Sequence, residues 1–172
     1  MANDLEIWSR ISRHDADAFD VFYRENASRL RAFLHHIVGD RQAAEDIVQE
    51  TFIQIWNRPN GFQPHRGAFR AYLFGIGRKR ASEWWRRQKP TDALIEQNQS
   101  DFRTEMRSVI GDAFSRLPED QRTLLWLREV EGQSYEELAT ILDIPVGTVR
   151  SRLFAAREAL RTIWKTEPRR TV

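Results

Sequence analysis

The chain has 172 residues, a formal net charge of +2 and no cysteine. This length allows one domain or two small ones, and the lack of cysteine excludes disulfides, thiol catalysis and cysteine-ligated zinc. No apolar run approaches the roughly 20 residues that span a bilayer, and the first residues lack the basic start and apolar core of a signal peptide. We therefore expect a cytoplasmic protein without membrane insertion.

Charge is distributed unevenly along the chain. Residues 61–90 contain eight lysines and arginines but one acid, and residues 146–172 contain seven against two acids. The stretches 1–60 and 91–145 are acidic, with ten acids against seven arginines and twelve against five. Two separate basic blocks predict a protein that contacts nucleic acid at two places and another partner through its acidic faces.

The N-terminal half shows the apolar periodicity of helices. Leu5, Trp8 and Ile11 predict a short first helix, and a long amphipathic helix is predicted over 16–38, ending at Gly39.

Two further helices are predicted before the middle of the chain. Asp40 is a suitable N-cap for a helix over 43–57, and the turn residues around Pro59 break this helix. Apolar positions then predict a helix over 69–87, which ends in a run of cations around two tryptophans.

These two tryptophans, Trp84 and Trp85, are neighbours on a helix and cannot both point into one core. We expect at least one of them to be exposed. Aromatic rings between cations suit a single-strand binding surface, on which each stacked base contributes ~1–3 kcal/mol. The alternative is that the tryptophans close the base of a helical bundle, and the sequence leaves both interpretations open.

The C-terminal half begins with a polar stretch over 90–101, which predicts a linker. Apolar spacing then predicts a helix over 102–117. Pro118 opens another helix, which Gly132 ends. The predicted core residues of that helix are Leu124, Leu125, Leu127 and Val130.

A helix-turn-helix follows. Ser134 and Glu137 form a capping box at the start of its first helix. Pro145 ends this helix because proline lacks a backbone donor and disfavours helix in the residue before it. The second helix is predicted to begin near Val146.

The second helix has an apolar stripe and a polar outer face. The stripe consists of Val149, Leu153, Ala156, Leu160 and Ile163. The outer face carries Gly147, Ser151, Phe154 and Glu158, flanked by Arg150, Arg152, Arg157 and Arg161. Arginines around small groups suit a major groove, where arginine pairs with guanine or clamps phosphate. The alternative is an ordinary helical hairpin with a solvated basic face.

Patterns for catalysis or metal binding are missing from the sequence. The four histidines lack the spacing of a metal site, and we expect solvated or helix-capping roles for His14, His35, His36 and His65. Paired acids are better interpreted as exposed helix faces than as general acid–base pairs. We predict no enzymatic activity, no cofactor and no metal.

Four stretches taken together resemble the extracytoplasmic-function (ECF) sigma factors of bacteria, within the sigma-70 family. They are DIVQETFIQIW (46–56), FRAYLFGIGRKRASEWWRR (69–87), LPEDQRTLLWLREVEGQSYEELATIL (117–142) and IPVGTVRSRLFAAREAL (144–160). The resemblance covers nearly the whole chain in the family's order, and the combination is more specific than any single motif.

The resemblance implies an all-α fold of two small helical domains joined by a flexible linker. We expect a region 2-like domain over 1–89, the linker over 90–101, a region 4-like domain with the helix-turn-helix over 102–166, and a tail over 167–172. The implied function is to bind core RNA polymerase, recognise a promoter and help to melt it.

The resemblance also implies the contact residues and partners. The clamp of the largest polymerase subunit would meet Asp46, Gln49, Glu50 and Phe52, with the flap region as a second contact. The minus-ten element and its melted strand would meet Phe62, Arg66, Phe69, Tyr72, Arg78, Lys79, Arg80, Trp84, Arg86 and Arg87. The upstream, minus-thirty-five element would meet Thr148, Arg150, Ser151, Arg152, Phe154 and Arg157. An anti-sigma factor is a further implied partner.

Two other functional hypotheses are weighed against this one. A free-standing helix-turn-helix regulator of the response-regulator output type would need a receiver or partner domain and symmetric half-sites, and the first domain has no α/β receiver pattern. A structural helical module with an incidental basic face is the remaining hypothesis.

Overall fold

The computed structural model describes residues 4–88, 113–114 and 116–166, and this part of the chain is helical without a strand. The N-terminal domain contains α1 (Asp4–Ile11), α2 (Ala16–Val38), α3 (Arg41–Asn57) and α4 (Phe69–Gln88). Two short 3₁₀ turns, Pro59–Gly61 and Pro64–Arg66, connect α3 to α4. The helices agree with the sequence-based bounds to within two residues at each end.

The C-terminal domain contains three described helices. They are α5 (Glu119–Leu125), which continues into a π-helical turn (Trp126–Val130), α6 (Tyr135–Leu142) and α7 (Val146–Thr166). The predicted linker over 90–101, most of the predicted helix over 102–117 and the tail over 167–172 lie outside the described residues. The all-α fold of two small helical domains is confirmed for the residues that the structure describes.

Local capping explains where several helices begin and end. Asp40 accepts a hydrogen bond from the Ala43 amide and caps α3, and Gly39 ends α2 in the left-handed conformation at φ 73°. Ser134 and Glu137 make both hydrogen bonds of the predicted capping box, at 3.1 and 2.7 Å. These signals are local in sequence, which is why they were predictable.

The N-terminal core is built from aromatic and leucine side chains of α2, α3 and α4. Phe22 of α2 stacks on Phe69 of α4 with ring centroids 4.4 Å apart. At Gly77 on α4, a Cβ atom would lie only 3.0 Å from the Leu30 Cδ1 atom. The missing side chain therefore lets α4 lie close against α2.

The C-terminal core joins Leu124 of α5 and Leu127 of the π-helical turn to Leu138 of α6 and Leu153 of α7, all fully or nearly fully buried. Val130 was predicted to belong to this core, but it is 51% exposed. A π-helical turn has more residues per turn than an α-helix. The residues after Trp126 are therefore rotated away from the phase that an α-helical pattern predicts.

The two domains contact each other through α4 and α6. At Gly75 on α4, a Cβ atom would lie 3.7 Å from the Ile141 Cα atom of α6, so the two backbones approach closely. The Arg78 guanidinium donates from Nε to the Ile141 carbonyl at 3.0 Å, at the C-terminal end of α6. The Thr140 hydroxyl donates to the Arg66 carbonyl at 2.8 Å.

A second part of the domain interface contains an ion pair whose carboxylate is buried. The Arg29 Nε atom lies 2.9 Å from the Glu131 Oε2 atom, and Arg29 Nη2 donates to the Glu131 carbonyl at 3.1 Å. The Glu131 side chain is only 4% exposed. A buried carboxylate needs such a partner, because its desolvation is otherwise uncompensated.

His36 lies in the same interface, which corrects the expectation that it is solvated or caps a helix. The side chain is 7% exposed and its ring stacks on Trp126 with centroids 4.6 Å apart. Burial lowers the pKa of His36 to about 3, and the positive charges of Arg122 and His35 contribute to the shift. The ring is therefore neutral in the folded chain at neutral pH.

This burial predicts a pH dependence of stability. The unfolded chain binds a proton at His36 below about pH 6.5 while the folded chain does not, so stability is complete above that pH and falls as the pH drops towards 3. Between pH 7 and 5 we expect the free energy of unfolding to fall by about 2 kcal/mol from this group. Denaturant titrations across that range measure the slope.

Two variants separate His36 from other titrating groups. His36→Leu keeps an apolar side chain in the stack and should flatten the slope between pH 7 and 5. His35→Gln changes the neighbouring, half-buried histidine and should leave most of the slope in place. A slope unchanged in His36→Leu would contradict the prediction.

Candidate nucleic-acid interface

The outer face of α7 is the first candidate surface. Phe154 is 70% exposed, and Arg150, Ser151 and Arg152 are exposed beside it. The opposite stripe is buried at Val149, Leu153 and Ala156 and partly buried at Leu160 and Ile163. The face predicted to meet bases is thus open to solvent, and the predicted stripe holds the helix against its own domain.

Three arginines surround the ring of Tyr135 at the start of α6. The Arg128 Cζ atom lies 5.0 Å from the ring centroid, and the Arg150 Cζ atom lies 5.8 Å from it. Arg157 pairs with Glu129 at 2.7 Å, and this hydrogen bond is the main reason that the pKa of Arg157 is raised, with Tyr135 contributing. Two arginines of α7, Arg150 and Arg157, therefore contact residues of α6 and of the π-helical turn.

The cationic end of α4 is the second candidate surface. Lys79, Arg86 and Arg87 are exposed there. Trp85 is 36% exposed, and its Nε1 atom donates to the Ile37 carbonyl at 3.2 Å. Trp84 is half-buried and packs against the core. The expectation that at least one of the two tryptophans is exposed is met by Trp85, and single-strand binding by this pair stays a prediction.

The structure corrects two of the predicted minus-ten contacts. Phe62 is 5% exposed and Phe69 is 1% exposed, so neither ring presents a face to a base. Tyr72 lies 5.6 Å from Phe62, centroid to centroid, and remains half-buried, which raises the pKa of its phenol. The loop aromatics fill the core that holds the loop in place, while Tyr72 lies at its edge.

Of the remaining predicted cations of this surface, Arg78 and Arg80 are engaged within the protein. The Arg78 guanidinium contacts α6 through the hydrogen bond described above, whereas Arg66 contacts α6 only through its backbone carbonyl. Arg80 pairs with Glu50 and donates from Nη2 to the Gln54 side-chain oxygen at 2.8 Å, which ties α4 to α3. Arg78 and Arg80 are therefore not freely available in this arrangement, whereas the Arg66 residue is exposed.

One face of α3 is anionic and exposed. Asp46, Gln49 and Glu50 lie on it at helical spacing. Phe52, which was predicted to share this surface, is instead 2% exposed, with its ring 4.7 Å from the Tyr23 ring. Ile53 lies on the same face, is 56% exposed and was not singled out from the sequence. Its position four residues after Gln49, on the same face of the helix, is the signal that could have identified it from the sequence.

Neither a metal site nor a membrane span is found where the structure describes the chain. No group of three potential metal ligands is present in the described ranges. Within the same residues, each helix is too short or too polar to cross a bilayer.

Sequence reasoning missed the residues that join the domains, namely Arg29, His36, Trp126 and Glu131. Each lies in a helix or turn that the local sequence pattern predicts without reference to any other part of the chain. Their partners are distant in sequence; Arg29 and Glu131, for example, are 102 residues apart. Helical periodicity contains no information about such pairs.

Family models match both halves of the chain. The model described as Sigma-70 region 2 matches residues 22–91, and the model described as Sigma-70, region 4 matches residues 107–160.

Curated relatives match over most of their length. The RNA polymerase sigma-H factor of Pseudomonas aeruginosa is 33% identical over 177 residues, which cover 91% of both chains. The ECF RNA polymerase sigma-E factor of Escherichia coli strain K12 is 31% identical over 179 residues, which cover 91% of this chain and 92% of the relative.

Solved structures share the fold. The sigma factor RpoE of Bartonella quintana, solved with the anti-sigma factor NepR, is 26% identical and has a TM-score of 0.66, with 87% of this chain and 98% of that chain covered. CnrH, solved with the cytosolic domain of CnrY, is 23% identical with a TM-score of 0.75, and covers 98% of this chain and 100% of its own.

Proposed function

The chain belongs to the ECF sigma factors of the sigma-70 family, and we propose that it binds core RNA polymerase, recognises a promoter at two elements and helps to melt it. The observation that supports this proposal best is the pairing of two exposed cationic surfaces, on α4 and on α7, with one anionic surface on α3. The free-standing regulator is not favoured, because both sigma regions match and the curated relatives cover nine-tenths of the chain.

The outer face of α7 reads the upstream element in this proposal. Arg150, Ser151 and Phe154 point away from the buried stripe and meet the major groove, where arginine recognises guanine and an aromatic ring contacts a thymine methyl. Thr148, Arg152 and Arg157 lie beside them and hold the phosphate backbone.

The cationic end of α4 holds the melted strand. Lys79, Arg86 and Arg87 neutralise phosphates, while Tyr72 and the tryptophan pair provide rings on which unstacked bases rest. Flipping a base costs a few kcal/mol, and stacking together with a cationic groove offsets that cost. Phe62 and Phe69 support this surface from the core.

The anionic face of α3 docks on a basic surface of the polymerase clamp through Asp46, Gln49, Glu50 and the exposed Ile53. The C-terminal domain meets the flap region. Sigma factors are generally not enzymes, and we propose that this chain has no catalysis of its own and uses no cofactor. An anti-sigma factor is a further proposed partner, supported by the likeness to RpoE in complex with NepR.

The proposal is tested by run-off transcription with purified core polymerase on a randomised promoter library. We expect initiation at one class of promoter and little duplex specificity from the chain alone. Specific binding of a dimer to symmetric half-sites without polymerase would support the free-standing regulator instead.

Asp46→Lys tests the docking face. Reversing this exposed charge should weaken binding to core polymerase by about tenfold or more, because like charges then face each other across the interface. Glu25→Lys reverses an exposed charge on α2 and is the matched control, which should bind as the wild type does. Equal affinity of both variants in a competition assay would contradict the assignment.

Arg150→Ala tests the base-reading role. Loss of a bidentate arginine should relax specificity at one base pair of the upstream element by ~1–3 kcal/mol while other positions stay selective. Arg161→Ala removes an exposed arginine that pairs with Glu158 farther along α7, and should leave the sequence preference unchanged. A uniform loss across all upstream sequences would move Arg150 to a phosphate-binding role.

A further inference from the structure

The inference concerns Tyr135, the residue beneath Arg150. We propose that Tyr135 is a positioning residue that orients Arg150 for base recognition before DNA arrives. This inference rests on the proposed function, since it concerns how the upstream element is read. Tyr135 lies on α6 and would not contact a base itself.

The geometry places Tyr135 between a fixed arginine and a reading arginine. Arg128 lies 5.0 Å from the ring and is anchored at its other side, because Nη1 donates to the Gln133 carbonyl at 2.6 Å. Arg150 lies 5.8 Å from the same ring but projects into solvent. The ring is half-buried, so its orientation is fixed by the domain core.

A guanidinium within about 6 Å of a ring is attracted by the ring's negative face. This attraction limits the rotamers of an exposed arginine that would otherwise have to be ordered on binding. Ordering one long side chain weakens binding by about 2- to 10-fold. The Tyr135 ring therefore reduces the loss of affinity that comes from ordering Arg150, the side chain proposed to select the base.

The test is a double-mutant cycle on the holoenzyme, scored as the ratio of open-complex formation on the preferred and the substituted upstream base pair. Tyr135→Leu should lower this ratio by about 2- to 10-fold. Tyr135→Phe keeps the ring and should restore the ratio. In the Arg150→Ala background, Tyr135→Leu should change the ratio no further.

The alternative outcomes are distinguishable. A loss of activity on all promoters together in Tyr135→Leu, adding to the effect of Arg150→Ala, would show an effect on folding alone and would overturn the proposal. Selectivity lost in Arg150→Ala but kept in Tyr135→Leu would refute the positioning role only. Selectivity unchanged in Arg150→Ala would refute the proposed reading of bases by Arg150 and the positioning role with it.

Discussion

Burying a carboxylate costs free energy unless a partner compensates it, and Glu131 is a carboxylate that the fold buries. Its side chain is 4% exposed, and Arg29 binds both its carboxylate and its backbone carbonyl from the other domain. The acid lies just before Gly132, at the end of the π-helical turn that also presents Trp126 to His36. One ion pair and one stacked pair of rings therefore join the domains beside the contact between α4 and α6.

Two glycines of α4 make this arrangement sterically feasible. Gly77 lets the helix lie against Leu30 of α2, and Gly75 lets another side of it lie against Ile141 of α6. Helix α4 thus packs against its own domain and against the C-terminal domain, while its cationic end stays exposed to solvent. The same helix carries the residues proposed to hold the melted strand, so the domain contact and that surface are physically coupled.

The functional surfaces are divided between exposed charges and buried aromatics. Phe52, Phe62 and Phe69 are buried, and they hold in place the helix and loop on which the polar groups lie. Asp46 and Lys79 remain exposed, where a partner can reach them. Resemblance to a family marks both kinds of residue, but only burial separates the residues that a partner could reach from those that support the surface.

What the sequence by itself determined is local. Ser134 with Glu137, Asp40 and Gly39 define helix ends through hydrogen bonds within a few residues, and the stripe from Val149 to Ala156 selects the outer face of α7 by periodicity alone. The family followed from motifs along the chain. The tertiary structure alone decided the buried state of His36, the pairing of Arg29 with Glu131 and the closure of α6 on α4. These contacts join residues far apart in sequence, and no local pattern specifies which distant surfaces meet.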